Sequence, residues 1–254
     1  MASNEQSVTL LRINKRAQVE ALNALGFNLA DDARASQFPE LVKWAAGLLD
    51  VTVAANRKSD NRKFFFTVDE WQSLSYTEQN LFLLRGVRVR ACGQSFIIAP
   101  DNLTNLAWGA NLTIPTHHDC AGKKDLYRFY DALAETQLIA EFLDGKSGNG
   151  VTGAPAADAA LGYKAYSLAD GLNDDSQWCL PTMAHLAIMF RYRNEIEAVL
   201  SSIWSSASKF LNAEYWSCCQ NTYAWINIQG FDVGGQSYSS SPSSKANVRP
   251  ISLN

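Results

Sequence analysis

Along the first third of the chain, apolar residues recur every three to four positions, which is the spacing of one helix face. Asn14 to Leu25 carries Ala17, Ala21, Leu22 and Leu25 on such a face, and Gly26 is placed to end the helix. Pro39 is set to open a second helix at its first turn, with Leu41, Val42, Trp44, Ala45, Leu48 and Leu49 as the stripe. The stretch from Asn56 to Lys63 reads as a charged link. Thr67 to Glu70 and Ser75 to Glu78 then match the Ser/Thr-x-x-Glu box, in which cap and third residue satisfy each other's backbone donors. The second of these helices is expected to end near Gly86.

The period then shortens to two. Residues 86–100, GVRVRACGQSFIIAP, alternate apolar and polar and predict a β-hairpin turning at Cys92-Gly93. A long loop leads to a helix from about Lys124 to Leu143. A Gly-rich turn follows at Gly145 to Gly153, then a short helix in PAADAALGYKAY and a turn at Asp170-Gly171. Thr182 is the expected cap of a helix from Met183 to Leu200, buried through Leu186, Met189, Phe190, Ile196, Val199 and Leu200. Short strands at Tyr215-Trp216, Tyr223 to Ile228 and Val248 to Ile251 close the pattern, and the fold class expected is α+β.

Composition narrows the function. The 254 residues are 47% hydrophobic and 19% charged, enough for a substantial core. A net charge of −3 argues against a nucleic-acid partner, which selects a basic face. No apolar run approaches the roughly 18 residues of a membrane span, and the first residues lack the apolar core of a signal peptide. Five cysteines without regular spacing suit free thiols in a reducing compartment rather than a disulfide framework. The acceptor-like triplets beginning at Asn102 and Asn111 read as chance matches in a chain without a secretory route.

Catalytic and metal motifs are weak. His117-His118-Asp119-Cys120 has no second ligand pair at zinc spacing and reads as a loop. His185 reads as a solvated or core histidine. There is no Gly-x-Ser-x-Gly elbow and no phosphate-binding glycine loop. Nothing basic in sequence flanks Cys218-Cys219 to activate a thiol. The reading is a non-enzyme without cofactor or metal.

One segment is unusual. From Tyr215 to Val248 the charged side chains are Asp232 and Lys245 alone, while Trp216, Tyr223, Trp225, Phe231 and Tyr238 stand among Ser, Asn, Gln and Gly. Rigid rings beside small adaptable polar groups are the composition of a contact surface. Trp216, Trp225, Val248 and Ile251 are expected in the core, and Arg249 as a structural anchor to a carboxylate such as Glu214.

The order WCLPT (178–182), a long helix with RNEI (193–196), EYWS (214–217), YAWIN (223–227) and Lys245 followed by VRPI (248–251) carries a resemblance. DCAGK (119–123) and PAADAALGY (155–163) extend it, so that it covers roughly residues 86–254. The chain resembles the C-type-lectin-like domain of bacterial and phage proteins, related in fold to formylglycine-generating enzymes. It is most similar to the variable proteins of diversity-generating retroelements, many of them phage receptor-binding proteins. The resemblance implies a scaffold whose surface is rewritten by adenine-directed mutagenesis, mostly at AAC-type codons. Such mutagenesis cannot produce Gln, Lys, Glu, Trp or Met. Gln220, Gln229, Gln236, Lys245, Trp216 and Trp225 then read as framework. Cys218, Cys219, Asn221, Tyr223, Ile226, Phe231, Ser237, Tyr238 and Ser240 read as the exposed, variable ligand-contact positions. The alternative is a Ser-rich loop with no such history.

On their helix pattern alone, residues 1–66 read as a helical attachment or oligomerisation module; by the resemblance, residues 67–254 are a C-type-lectin-like ligand-binding domain. The function implied is a phage tail-tip or tail-fibre adhesin in the virion, made in the bacterial cytoplasm. It would bind a bacterial surface receptor, protein or glycan, and join other tail proteins through its N-terminal module as a homo-oligomer, a trimer in relatives. The calcium triplets EPN, QPD and WND of sugar-binding lectins are missing. The adjacent Cys218-Cys219 does not reproduce the separated cysteine pair of formylglycine-generating enzymes. An enzyme on that scaffold and a purely structural virion protein are the alternatives.

Overall fold

A computed structural model describes residues 49–115, 129–165, 177–204, 209–232 and 236–253, with 236–239 described by backbone alone. The helices expected before residue 49, the Asp170-Gly171 turn and the His117–Cys120 cluster lie outside the described residues. Contacts divide the chain into two units, Met1–Asp50 with Arg90–Gln94, and Val51–Val89 with Ser95–Asn254. In the first, Arg90 Nη1 lies 3.9 Å from the Asp50 carboxylate. The two large sheets described next run through the second.

The fold is α+β. Strands β1 (Asp50–Arg57), β2 (Lys63–Phe66), β3 (Phe82–Ala91), β4 (Gln94–Ile98) and β12 (Ile251–Ser252) form one sheet in the order β12-β4-β3-β1-β2. Strands β5 (Leu103–Ala107), β8 (Glu214–Thr222), β9 (Trp225–Gly230), β10 (Gln236–Ser240) and β11 (Lys245–Val248) form a second, in the order β10-β9-β8-β11-β5. A small hairpin, β6 (Ser147–Gly148) and β7 (Val151–Thr152), occupies the Gly-rich turn.

Two sequence expectations change here. Residues 50–66, placed in a helical module, form the β1–β2 hairpin, with Val53 opposite Phe66 and Asn56 opposite Lys63. The charged link is its turn, where the Arg57 guanidinium pairs with Asp60. A hairpin tip is solvated from both sides, so polar residues belong there. Nor does the helix begun at Ser75 reach Gly86. Helices α1 (Val68–Ser73) and α2 (Tyr76–Gln79) both carry the expected capping boxes, yet α2 stops after one turn and β3 begins at Phe82. Val87, Val89 and Ala91 are buried, with Arg88 and Arg90 between them half-buried, which is strand alternation. The turn at Cys92-Gly93 has both residues at positive φ, +52° and +74°. At Gly86, with φ +151°, a β-carbon would lie 2.1 Å from the Ile98 carbonyl oxygen, so β3 and β4 pack here only through glycine.

Helix α3 (Ala132–Leu143) starts at a cap made by Asp131, whose Oδ1 accepts from Leu133 and Ala134 N–H at 3.1 and 3.0 Å. Helix α4 (Pro155–Leu161) opens with its proline. The helix expected from Met183 to Leu200 is two, α5 (Met183–Arg191) and α6 (Arg193–Ile203), which share Tyr192 (φ −111°, ψ 27°) as a joint. Arg193 then serves the joint, with Nε on Glu197 at 2.9 Å, Nη1 on Asn212 Oδ1 at 2.7 Å and the Phe231 carbonyl at 3.1 Å, and Nη2 on the Phe210 carbonyl.

The sheets are joined by the dipeptide Arg249-Pro250 between β11 and β12. Cys179 bridges to Ile251 with paired backbone bonds of 2.8 and 3.0 Å, and the Pro250 carbonyl accepts from Ala99 N–H at 3.0 Å. Arg249 is buried as expected of an anchor, but not on Glu214. Its Nη1 donates to Asn102 Oδ1 at 3.0 Å and its guanidinium lies 4.7 Å from the Phe210 ring centre. Burial lowers its pKa to about 10, against the pull of Tyr215, Tyr163, Asp101 and Glu197. The Asn102 amide bonds through both of its polar atoms, its Nδ2 donating to the Lys209 carbonyl at 2.7 Å and its Oδ1 also accepting from the Tyr215 hydroxyl at 2.8 Å. Asn102 is therefore a structural residue of this network.

Candidate ligand-binding surface

The segment that reads as a contact surface folds into β8, β9 and β10. Its inner part is a framework. Trp216 pairs with Ile228 and Gln220 with Ile226, so Ser217, Cys218 and Cys219 stand opposite the single residue Asn227. Such a bulge frees backbone groups that must find other partners. Ser217 Oγ donates to the Asn227 carbonyl at 2.7 Å and accepts from Cys219 N–H at 3.1 Å. Asn227 Nδ2 donates to the Cys219 carbonyl at 3.1 Å, and the Trp108 indole N–H to the Ser217 carbonyl at 2.9 Å. Gln220 clamps the neighbouring loop, donating to the Leu112 carbonyl at 2.8 Å and accepting from Ile114 N–H at 2.9 Å. The framework role expected of Trp216 and Gln220 fits this geometry.

Four expected contact positions are interior instead. Cys218, Cys219, Ile226 and Phe231 are each at most 1% exposed. In a regular strand Cys218 and Cys219 would face opposite sides. The bulge brings both thiols to one hydroxyl: Tyr130 Oη lies 2.6 Å from Cys219 Sγ, and Cys218 Sγ donates to it at 3.7 Å. Burial pushes the Cys218 thiol well above its ordinary pKa, with the Cys219 contact adding to the effect. Phe231 packs among Tyr215, Phe210 and Phe190, with ring centres at 4.7, 5.0 and 5.5 Å. Codon accessibility constrains which residues mutation can supply and carries no information on burial, so it places these four on the wrong side of the surface. In the native protein, Cys179, Cys218 and Cys219 are expected to stay silent toward a colorimetric disulfide reagent and to react only on unfolding, while exposed Cys92 reacts at once; mass spectrometry of the labelled peptides checks this.

The outer part is the hairpin end. Thr222 pairs with Trp225 across the two-residue turn Tyr223-Ala224, and Thr222 Oγ1 accepts from Ala224 N–H at 3.2 Å. Tyr223 is 58% and Trp225 44% exposed, with Thr222 exposed and Asn221 half-buried. Tyr223 and Asn221 therefore reach solvent as expected. Trp225, assigned to the core by its residue type, stands outside it. An aromatic residue beside a two-residue hairpin turn is the sequence signal that would have placed it there. Strand β10 sets Ser237 opposite Ile228 and Ser240 opposite Ile226, with Ser240 half-buried. The side chains of Ser237 and Tyr238 lie outside the described residues.

His185 is 2% exposed and acts as the third residue of the α5 capping box with Thr182. Its Nδ1 accepts from Thr182 N–H at 3.3 Å and lies 2.8 Å from Thr182 Oγ1, an arrangement that leaves the proton on Nε2. The ring stands edge-on to Phe96 and Phe129, at 4.7 and 5.2 Å. Burial lowers its pKa to about 3, and nearby Cys219 opposes the shift. Among the described residues no group of three or more His, Cys, Asp or Glu could hold a metal ion, and no helix is long and apolar enough to cross a membrane. No protein-family model matches the chain, and no curated protein matches it.

Proposed function

We propose that this chain is a receptor-binding protein, a phage tail-tip or tail-fibre adhesin built on a C-type-lectin-like domain of the variable, retroelement-diversified kind. The observation that carries the reading is the division of labour in the second sheet. Its inner residues form a buried, hydrogen-bonded framework, and its hairpin end holds uncharged aromatic and polar side chains out in solvent. Such a surface tolerates replacement, because changing an exposed side chain leaves the framework bonds intact. In this reading Asn221, Tyr223, Ser237, Tyr238 and Ser240 are the variable contact positions. The N-terminal residues attach the protein to other tail proteins and to its own copies, in a homotrimer. Several copies on one particle turn weak single contacts into avidity.

The reading is tested with the full chain labelled and mixed with bacterial strains, including the one that carries the gene. Saturable binding to intact cells of at least one strain is the expected result, and binding to none removes the adhesin reading. Diversification is tested separately in the flanking DNA. A near-copy of the segment encoding residues 214–251 is expected beside a reverse-transcriptase frame, differing where it has adenines. Without such a copy the surface is a fixed one.

A further inference from the structure

Resting on the adhesin reading, we propose that Tyr223 and Trp225 form a two-ring anchor that inserts into an apolar pocket on a protein receptor. Among the described residues, these are the large apolar side chains that the β8–β9 hairpin leaves exposed. Tyr223 lies in the two-residue turn and Trp225 directly follows it, so both rings stand at the end of the hairpin. Two exposed rings at a hairpin end are best buried in a recess on the partner.

The tip is held before any partner arrives. Thr222 ties down the turn through Ala224 N–H, and two residues before Thr222 the Gln220 amide grips the loop at Leu112 and Ile114 from both its atoms. Ordering flexible loops is a main cost of association, and a tip already ordered avoids most of it. Tyr and Trp add large area on few rotatable bonds, which is why they dominate the energetic centres of protein interfaces. Each also keeps one polar atom that a pocket rim can bond.

Charge narrows the class of partner. From Tyr215 to Phe231 the sequence has no Asp, Glu, Lys, Arg or His. An acidic surface polysaccharide would call for cations beside the rings, and this hairpin supplies none. A desolvated pocket on a folded protein calls for neutral groups, since an unpaired charge buried there is strongly unfavourable.

The full chain and its Tyr223→Ala, Trp225→Ala and doubly substituted variants are compared for binding to cells of a strain that the unaltered chain binds. Cells are used untreated, protease-treated and periodate-treated. The double variant is expected to bind at least ~10-fold more weakly with an unchanged thermal midpoint, and Trp225→Phe to retain most binding. Protease is expected to abolish binding of the unaltered chain and periodate to leave it. Full binding by the double variant overturns the anchor while the adhesin reading stands on another face. Binding that resists protease and is lost to periodate overturns the protein partner in favour of a glycan. A chain that binds no strain removes the adhesin reading, and the anchor falls with it.

Discussion

Trp216→Ala lowers stability by about 3–5 kcal/mol, the range for truncating a large buried aromatic. Trp216 has no solvent-exposed surface, and its indole N–H donates to the Leu106 carbonyl at 2.8 Å. That bond spans from β8 to β5 across the intervening β11. Alanine therefore opens a cavity and also removes the indole donor from the half-buried Leu106 carbonyl, and the cavity is the larger cost. Trp216→Phe keeps most of the volume and loses the donor, so its effect is expected to be smaller. Denaturant unfolding of the two variants separates the contributions. A loss below about 1 kcal/mol for the alanine variant would mean that the strand repacks around the site.

Acid destabilises the protein through His185. In the unfolded chain its ring takes up a proton near pH 6.5, whereas in the folded protein it does so near pH 3. Between these values the unfolded state binds the extra proton, so stability falls as pH falls, by up to about 1.4 kcal/mol per pH unit. Above pH 6.5 the ring is neutral in both states and its contribution is complete. The cause is structural as well as dielectric. A proton on Nδ1 would remove the acceptor that Thr182 N–H uses and would place a positive charge at the N-terminal end of α5. His185→Gln retains an acceptor at the position where capping boxes favour Glu or Gln, and does not titrate. The difference in stability between the two proteins is expected to vanish or change little above pH 7. It should shift steeply in favour of the variant between pH 6 and 4. Parallel stability curves through that range would show that the His185 ring is not the group responsible.

Local signals were legible and long-range ones were not. The two capping boxes, the turn at Cys92-Gly93 and the cap at Thr182 each involve residues within a few positions of one another, and all appear where expected. The break at Tyr192 was hidden because apolar spacing continues through it. The β1–β2 hairpin was hidden because a charged turn between two short apolar runs looks like a linker. At the candidate surface, the codon argument put Cys218 and Cys219 on the exposed side, and they are buried. Three residues of β8 opposing one of β9 depend on pairing across the sheet. That register cannot be read from the strand alone, and it is what turns both thiols toward Tyr130.

The dipeptide that joins the sheets also bears on how the chain comes off the ribosome. Ile251 and Ser252 pair with Ile98 and Ile97, so the β4 edge of the first sheet stays open until residue 252 has emerged. Asn247 likewise joins Tyr215 only once β11 has emerged, leaving β5 without its β11 neighbour until residues 245–248 are made. The nascent protein thus carries two unfinished sheet edges, and unpaired edges of this kind invite association with other chains. Adjacent ribosomes on one message would hold several such edges close together, at the moment when copies of this chain first meet.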